Sequence, residues 1–94
     1  MEVKWLNKAL KNLDQEAEYI ATDNPEAARL IVQQISSSIA LLAKNPSLGH
    51  PGRIIGTREL IVNKIRYLVP YRVRNESIEI LRIFHTSRKL PKSW

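Results

Sequence analysis

Arginines alternate with apolar residues in the second half of this sequence, and they are the side chains best suited to binding or chemistry. Residues 48–94 hold ten cationic side chains and three acidic ones, whereas residues 1–47 hold five cations and six acids. The net charge of +6 is therefore a property of the second half. Because a planar guanidinium can hold a phosphate or carboxylate through two parallel hydrogen bonds, this half predicts a polyanionic partner.

Seven positions form the candidate binding surface, namely Arg53, Arg58, Arg72, Arg82, Arg88, Lys89 and Trp94. If the five arginines share one surface, their mutual repulsion favours an acidic partner that neutralises them. The alternative interpretation is that each arginine is an ordinary solvated side chain. Trp94 can stack on a base if it is exposed.

His85 is the candidate proton-exchanging group, because an imidazole changes charge near neutral pH. The alternative is a histidine at a strand end that hydrogen-bonds a neighbour. The sequence has two histidines, no cysteine and no carboxylate cluster spaced around either histidine as metal ligands would be. It therefore predicts no metal and no cofactor.

Two amphipathic helices are predicted to support these side chains. The first spans residues 7 to about 22, with Asn7 as its cap, and Glu16 is assigned to its polar side. The second spans 24 to about 43, because Asn24 and Pro25 are typical of a cap and a first helical residue. The short link between them predicts an antiparallel hairpin.

Four strands are predicted beside the helices. A short edge strand opens the chain at residues 1–5, and three antiparallel strands follow a loop at 46–56, over 59–62, 67–73 and 78–84. Alternation in the middle strand places Tyr67, Val69, Tyr71 and Val73 towards the helices. Pro70 lacks an N–H donor, so an unpaired side or a bulge is expected there.

The resulting fold class is α+β with the order β-α-α-β-β-β, in which a helical hairpin packs on one face of a small, mainly antiparallel sheet. The opposite face is expected to be concave and basic. Residues 1–94 are predicted to form a single domain. No apolar run approaches the roughly 18 residues that span a bilayer, so we expect no membrane association and a cytoplasmic location.

Three runs of the second half carry a family resemblance: residues 52–60, residues 67–73, and residues 80–85 followed by Arg88. Together with the element order, they make the chain similar to the RelE/ParE superfamily of bacterial toxin–antitoxin toxins. The resemblance implies a growth-inhibiting toxin that a cognate antitoxin holds inactive, in a hetero-oligomer with that antitoxin.

The superfamily has two main branches, and the resemblance favours one of them. ParE-type toxins poison DNA gyrase, and RelE-type toxins are mRNA endonucleases that act on the ribosome. Residues 56–60 and the spacing of His85 and Arg88 look like the ParE branch, whereas Leu68 stands where a RelE-like arginine is expected. The resemblance therefore implies a gyrase poison.

The alternative is the RelE-like endonuclease. In that case the resemblance implies that His85 and Arg88 are catalytic, with His85 exchanging the proton, Arg88 and Arg72 binding phosphate, and Trp94 stacking a base in place of a terminal tyrosine. A third interpretation is a homologue that has lost toxicity and only binds its partner.

Overall fold

Two helices pack against one face of a mixed sheet in the computed structural model, which describes residues 1–62, 66–87 and 90–94. Asn63 and Lys64, which separate the predicted strands 59–62 and 67–73, lie outside these ranges, as do the predicted site residues Arg88 and Lys89. The elements follow in the order β1 (Glu2–Trp5), α1 (Asn7–Asp23), α2 (Pro25–Ala40), a 3₁₀ turn (Leu41–Ala43), β2 (His50–Pro51), β3 (Arg58–Val62), β4 (Tyr67–Arg74), β5 (Ser77–Ile80) and β6 (Phe84–His85).

The strands lie in the spatial order β1-β5-β4-β3-β2, and β6 also pairs with β4. β1 runs parallel to β5, while all other pairs are antiparallel. The predicted α+β class, the helical hairpin and the edge position of the first strand are confirmed. The predicted loop at 46–56 differs in one respect, because His50 and Pro51 form the two-residue edge strand β2.

The two helices begin in different ways. Asn24 caps α2 as predicted, since its side-chain oxygen accepts a hydrogen bond from the Ala27 N–H at 3.1 Å and Pro25 is the first helical residue. The predicted cap at Asn7 is wrong, because Asn7 is already helical and Leu6 occupies the cap position without a side-chain bond. The Leu6 N–H instead donates to the Ile80 carbonyl at 3.1 Å, so the sheet positions the start of α1.

The core lies between the hairpin and the sheet. Tyr67, Val69 and Tyr71 of β4 are at most 2% exposed and pack in this core, which confirms their predicted facing. Val73, predicted on the same side, is 43% exposed.

A bulge opposite Pro70 divides the last predicted strand. Tyr71 pairs with Ile80 and Leu68 pairs with Phe84, so two residues of β4 face the three residues 81–83. The Leu81 N–H donates to the Pro70 carbonyl at 2.9 Å, which shows that the side of Pro70 without a donor faces this segment. The predicted continuous strand 78–84 is therefore wrong, and the bulge expected at Pro70 is confirmed in the neighbouring strand.

The second face of the sheet is partly covered rather than open. Leu68 and Pro70 on this face are buried. Phe84 lies beside Leu68, and its ring centroid is 5.5 Å from that of Trp94. Within the described ranges, no helix is both long and apolar enough to cross a membrane.

Candidate functional site

Three of the predicted arginines meet around Trp94. The Arg53 guanidinium carbon lies 6.0 Å from the centre of the indole ring, and an Arg82 nitrogen donates to the main-chain oxygen of Trp94 at 3.5 Å. Arg72 and Trp94 line the same shallow cavity of about 360 Å³. With Phe84, these residues form what we call the Trp94 cluster. The indole Nε1 is buried and has no hydrogen-bond partner among the described residues.

Arg72 reaches this cluster across the sheet from β4. Its Nε donates to the Glu79 carboxylate of β5 at 2.5 Å, because the two residues are directly paired in the ladder. This hydrogen bond lowers the pKa of the Glu79 carboxyl below its ordinary value, while desolvation acts in the opposite direction. The charges of Arg72, Arg74 and Lys4 lower it further. Arg72 is therefore held by an internal partner.

Arg53 is held by a buried carboxylate. Glu59 is 3% exposed, and one of its oxygens accepts from the Arg53 backbone N–H at 3.0 Å and from the Arg53 Nε at 3.3 Å. The His50 Nε2 lies 3.6 Å from the other oxygen. Glu59 thus fixes both the loop before β3 and the guanidinium that lies over Trp94.

Arg82 lies in the bulge and is fixed by α1. The side-chain oxygen of Asn12 accepts from the Arg82 Nε at 2.9 Å and from the Ile83 N–H at 3.1 Å. The Arg82 guanidinium also lies 4.8 Å from the centre of the Phe84 ring. Sequence reasoning missed Asn12, because an asparagine on the polar side of a helix carries no sign that a bulge will reach it.

Arg58 does not join the Trp94 cluster. It pairs with Tyr71, which faces the helices, whereas Arg72 faces the other side of the sheet. Its Nε donates to the Gly49 carbonyl at 2.8 Å and its Nη2 donates to the Ser47 carbonyl at 3.2 Å. The five arginines therefore do not share one surface: three converge, one secures the loop 46–49, and Arg88 is outside the described residues.

His85 lies on the helix side of the sheet, in a cavity of about 380 Å³ between α1, α2 and β4. Its ring meets the Tyr67 ring edge-on at 5.2 Å, and its Nδ1 accepts from the Ser87 N–H at 3.2 Å. The Tyr67 hydroxyl donates to the Glu16 carboxylate at 2.9 Å. Glu16 is 5% exposed, so its predicted place on the polar side of α1 is wrong.

The sheet separates His85 from the Trp94 cluster. His85 shares the helix side with Tyr67, while Arg72 and Phe84 of the Trp94 cluster lie on the opposite side. His85 therefore lies on the other side of the sheet from Arg72, while Arg88, the arginine predicted to act with His85, is outside the described residues. Within residues 1–62, 66–87 and 90–94, no group of three metal-binding side chains occurs.

A second surface feature lies at the other edge of the sheet, where β1 meets the helices. Val3 and Trp5 of β1, Leu10 and Leu13 of α1, and Ile39 of α2 line most of an open apolar groove of about 560 Å³. Leu10 is 45% exposed there. We call this feature the β1 groove.

Comparison with known families identifies relatives over nearly the whole chain. The model of the family described as "ParE toxin of type II toxin-antitoxin system, parDE" matches residues 3–90. The protein named "Putative toxin Y4kP" of Sinorhizobium fredii (strain NBRC 101917 / NGR234) is 39% identical over 90 residues, which is 96% of this chain and 93% of that protein.

Solved structures give the same result. A structure of the chromosomal ParDE TA system from P. aeruginosa has a TM-score of 0.81 and 33% identity, over 90% of this chain and 95% of the other. The isolated E. coli RelE toxin has a TM-score of 0.67 at 11% identity, over 94% of this chain and 86% of the other. The second similarity establishes a shared fold alone.

Proposed function

Because this chain belongs to the ParE toxin family of type II toxin–antitoxin systems, we propose that it stops bacterial growth by binding DNA gyrase and cuts no substrate bond itself. A toxin of such a system has an antitoxin as its partner. Gyrase acts on chromosomal DNA, so the proposed site of action is the cytoplasm.

The observation that carries this proposal is that His85 and the Trp94 cluster lie on opposite sides of the sheet. An RNA-cleaving centre needs a proton-exchanging group and a phosphate-binding cation around one phosphate. Here the imidazole lies against Tyr67 under the helices, while Arg72 and Trp94 lie on the other face of the sheet. This arrangement favours binding over bond cleavage.

The Trp94 cluster is the surface that we propose for the target. Tryptophan and arginine are the side chains that most often dominate protein–protein binding energy, and here three arginines lie around one indole. Glu59, Glu79 and Asn12 hold these arginines in place, so little side-chain entropy is lost on binding.

The test has two measurements. Gyrase supercoiling is measured with the purified protein, and mRNA 5′ ends are mapped in cells that express the toxin alone. We expect the protein to inhibit supercoiling by gyrase in vitro and to leave mRNA 5′ ends unchanged in cells. His85→Asn is the diagnostic variant, because an amide oxygen can still accept from Ser87 but cannot exchange a proton as imidazole does. It should inhibit gyrase within about twofold of the wild type, a difference of about 0.4 kcal/mol in binding free energy.

Codon-phased mRNA cuts that disappear in His85→Asn, together with normal gyrase activity, would replace this proposal with the RelE-like one. Growth without arrest on expression of the toxin alone would instead indicate a homologue that only binds its antitoxin.

We place the antitoxin in the β1 groove. The groove is lined mainly by apolar side chains and borders the open side of an edge strand, so it suits a segment that folds on binding as a helix or an added strand. Leu10→Glu places a charge in the groove at an exposed position, so the fold should tolerate it. We expect this variant to remain toxic and to bind antitoxin at least tenfold more weakly, because burying an unpaired carboxylate is unfavourable. Unchanged antitoxin affinity would show that the antitoxin binds at another surface.

A further inference from the structure

A hydrogen-bonded turn before β3 carries the most exposed large apolar side chain of the described residues. Ile55 is 100% exposed, compared with 71% for Tyr19 and 59% for Leu41. Single exposed aliphatic side chains are common and need no explanation on their own. The geometry of this turn and the charges around it set Ile55 apart.

Three hydrogen bonds hold the turn. The Thr57 N–H donates to the Ile54 carbonyl at 3.1 Å and the Thr57 hydroxyl donates to the same oxygen at 2.6 Å. The Gly52 N–H donates to the Thr57 carbonyl at 2.8 Å. Gly56 has a φ of 83°, as the third residue of a type II turn requires. Ile55 is therefore presented by a backbone that is already ordered.

The same turn is connected to the Trp94 cluster. Arg53 enters the turn with its backbone and side chain both bound to the buried Glu59, and its guanidinium lies 6.0 Å from the Trp94 ring centre. Ile55 and Arg53 thus belong to one loop at the β2–β3 edge of the sheet, and the Arg53 side chain connects that loop to Trp94. This edge is opposite the β1 groove in the strand order.

We propose that Ile55 is an anchor that inserts into an apolar pocket on the target protein, and that carboxylates border that pocket. Arg53 precedes the turn and Arg58 follows it, and Arg58 makes its hydrogen bonds to neutral carbonyl oxygens. The positive field of these residues suits an acidic protein surface. A nucleic-acid backbone fits less well, because it offers no apolar pocket for the fully exposed Ile55 side chain.

The identity of the target as gyrase rests on the proposed function, whereas the anchor role of Ile55 rests on the turn. The pre-ordered backbone matters because binding then orders few further residues. The antitoxin is not the predicted occupant, since the groove that suits it lies at the opposite edge.

The experiment uses the full chain with Ile55→Ser and, as a matched control, Leu41→Ser on the 3₁₀ turn after α2. Both side chains are exposed, so neither variant should lower the melting temperature. We expect Ile55→Ser to lose roughly tenfold to a hundredfold in gyrase inhibition, because one buried isoleucine side chain contributes that much to affinity. Leu41→Ser should match the wild type, and both variants should bind antitoxin as the wild type does.

Gly56→Ala tests the geometry separately from the apolar side chain. A Cβ there meets no atom within 4 Å, so any effect comes from the positive φ that alanine disfavours. We expect this variant to lose potency as well, although Ile55 is intact.

Unchanged potency of Ile55→Ser would overturn the inference, and so would a loss confined to antitoxin binding. If the wild type fails to inhibit gyrase, the proposed function fails and growth arrest on expression becomes the readout. Loss of arrest in Ile55→Ser but not in Leu41→Ser would then support the anchor on another target, and equal arrest would refute it.

Discussion

The ion pair between Arg72 and Glu79 on the sheet makes the stability of the fold depend on pH. The Arg72 hydrogen bond lowers the pKa of Glu79 in the folded protein, so the ionised form favours folding. This contribution is complete above the ordinary value of 4.5 and is lost as the pH falls from there through the lower folded pKa. We expect the urea midpoint of the wild type to decline over this acidic range more steeply than that of Glu79→Gln. Equal slopes would show that the pair does not contribute.

Asn12 is the residue that we expect to matter most for the bulge. Its oxygen accepts from both Arg82 and the Ile83 N–H, so Asn12→Leu leaves a backbone donor without its partner. We expect the free energy of unfolding to fall by about 1–3 kcal/mol, which urea denaturation measures. Asn12→Asp keeps an acceptor, so its free energy of unfolding should fall much less. If both variants unfold at the same urea concentration, the hydrogen bonds are not the cause.

Glu16 marks the limit of residue-level prediction from this sequence. It follows Leu13 by three positions and precedes Ile20 by four, so the helical spacing already places it on the apolar side. A carboxylate is nevertheless assigned to solvent by default, because a buried one needs a partner. That partner, the Tyr67 hydroxyl, is 51 positions away and becomes visible only in the folded chain.

At the scale of elements, the sequence predicted the features that neighbouring residues determine, such as helix starts and breaks between strands. Asn24 and Pro25 start α2 as expected, and the break between β4 and β5 at residues 75–76 falls between the predicted strands 67–73 and 78–84. Pro70 correctly indicated a bulge, but the strand that bulges is its neighbour, since the missing donor affects the partner across the ladder. The covering of the second sheet face by Trp94 could not be predicted, because alternation along a strand says nothing about a distant tail.

The turn between β4 and β5 offers a test of backbone energetics. Asn75 and Glu76 have φ values of 51° and 61°, the pattern of a two-residue type I′ turn. Glycine accepts this conformation at the second position far more readily than glutamate does. We expect Glu76→Gly to raise the free energy of unfolding by about 1 kcal/mol. Glu26→Gly, at an exposed position in the first turn of α2, should lower it, and an equal effect of both changes would contradict the turn argument.

At the scale of the whole molecule, the surfaces that we propose for the antitoxin and for the target lie at different edges of the sheet and differ in charge. The β1 groove is lined mainly by apolar side chains, whereas the β2–β3 edge carries Ile55 with Arg53 and lies next to the Trp94 cluster. The strand order places these edges at opposite ends of the sheet. If the two surfaces are separate, an antitoxin neutralises the toxin by extending from one edge towards the other or by hindering access of the much larger target.

The uneven charge of the chain predicts that target binding depends strongly on salt. Residues 48–94 carry seven more positive than negative charges, since ten cations face three acids. Raising the ionic strength from about 50 mM to about 300 mM shortens the Debye length from about 14 Å to about 6 Å. We therefore expect the association rate with gyrase to fall roughly tenfold, with little change in the dissociation rate.

Two single substitutions separate this long-range field from any general effect of charge. Arg74 is an exposed cation of the basic half, and Arg29 is an exposed cation of the other half that pairs with Glu26. Arg74→Gln should slow association and flatten the salt dependence, while Arg29→Gln should leave both close to the wild type. If the two variants respond to salt alike, net charge rather than its placement governs the encounter, and the basic half has no special role in reaching the target.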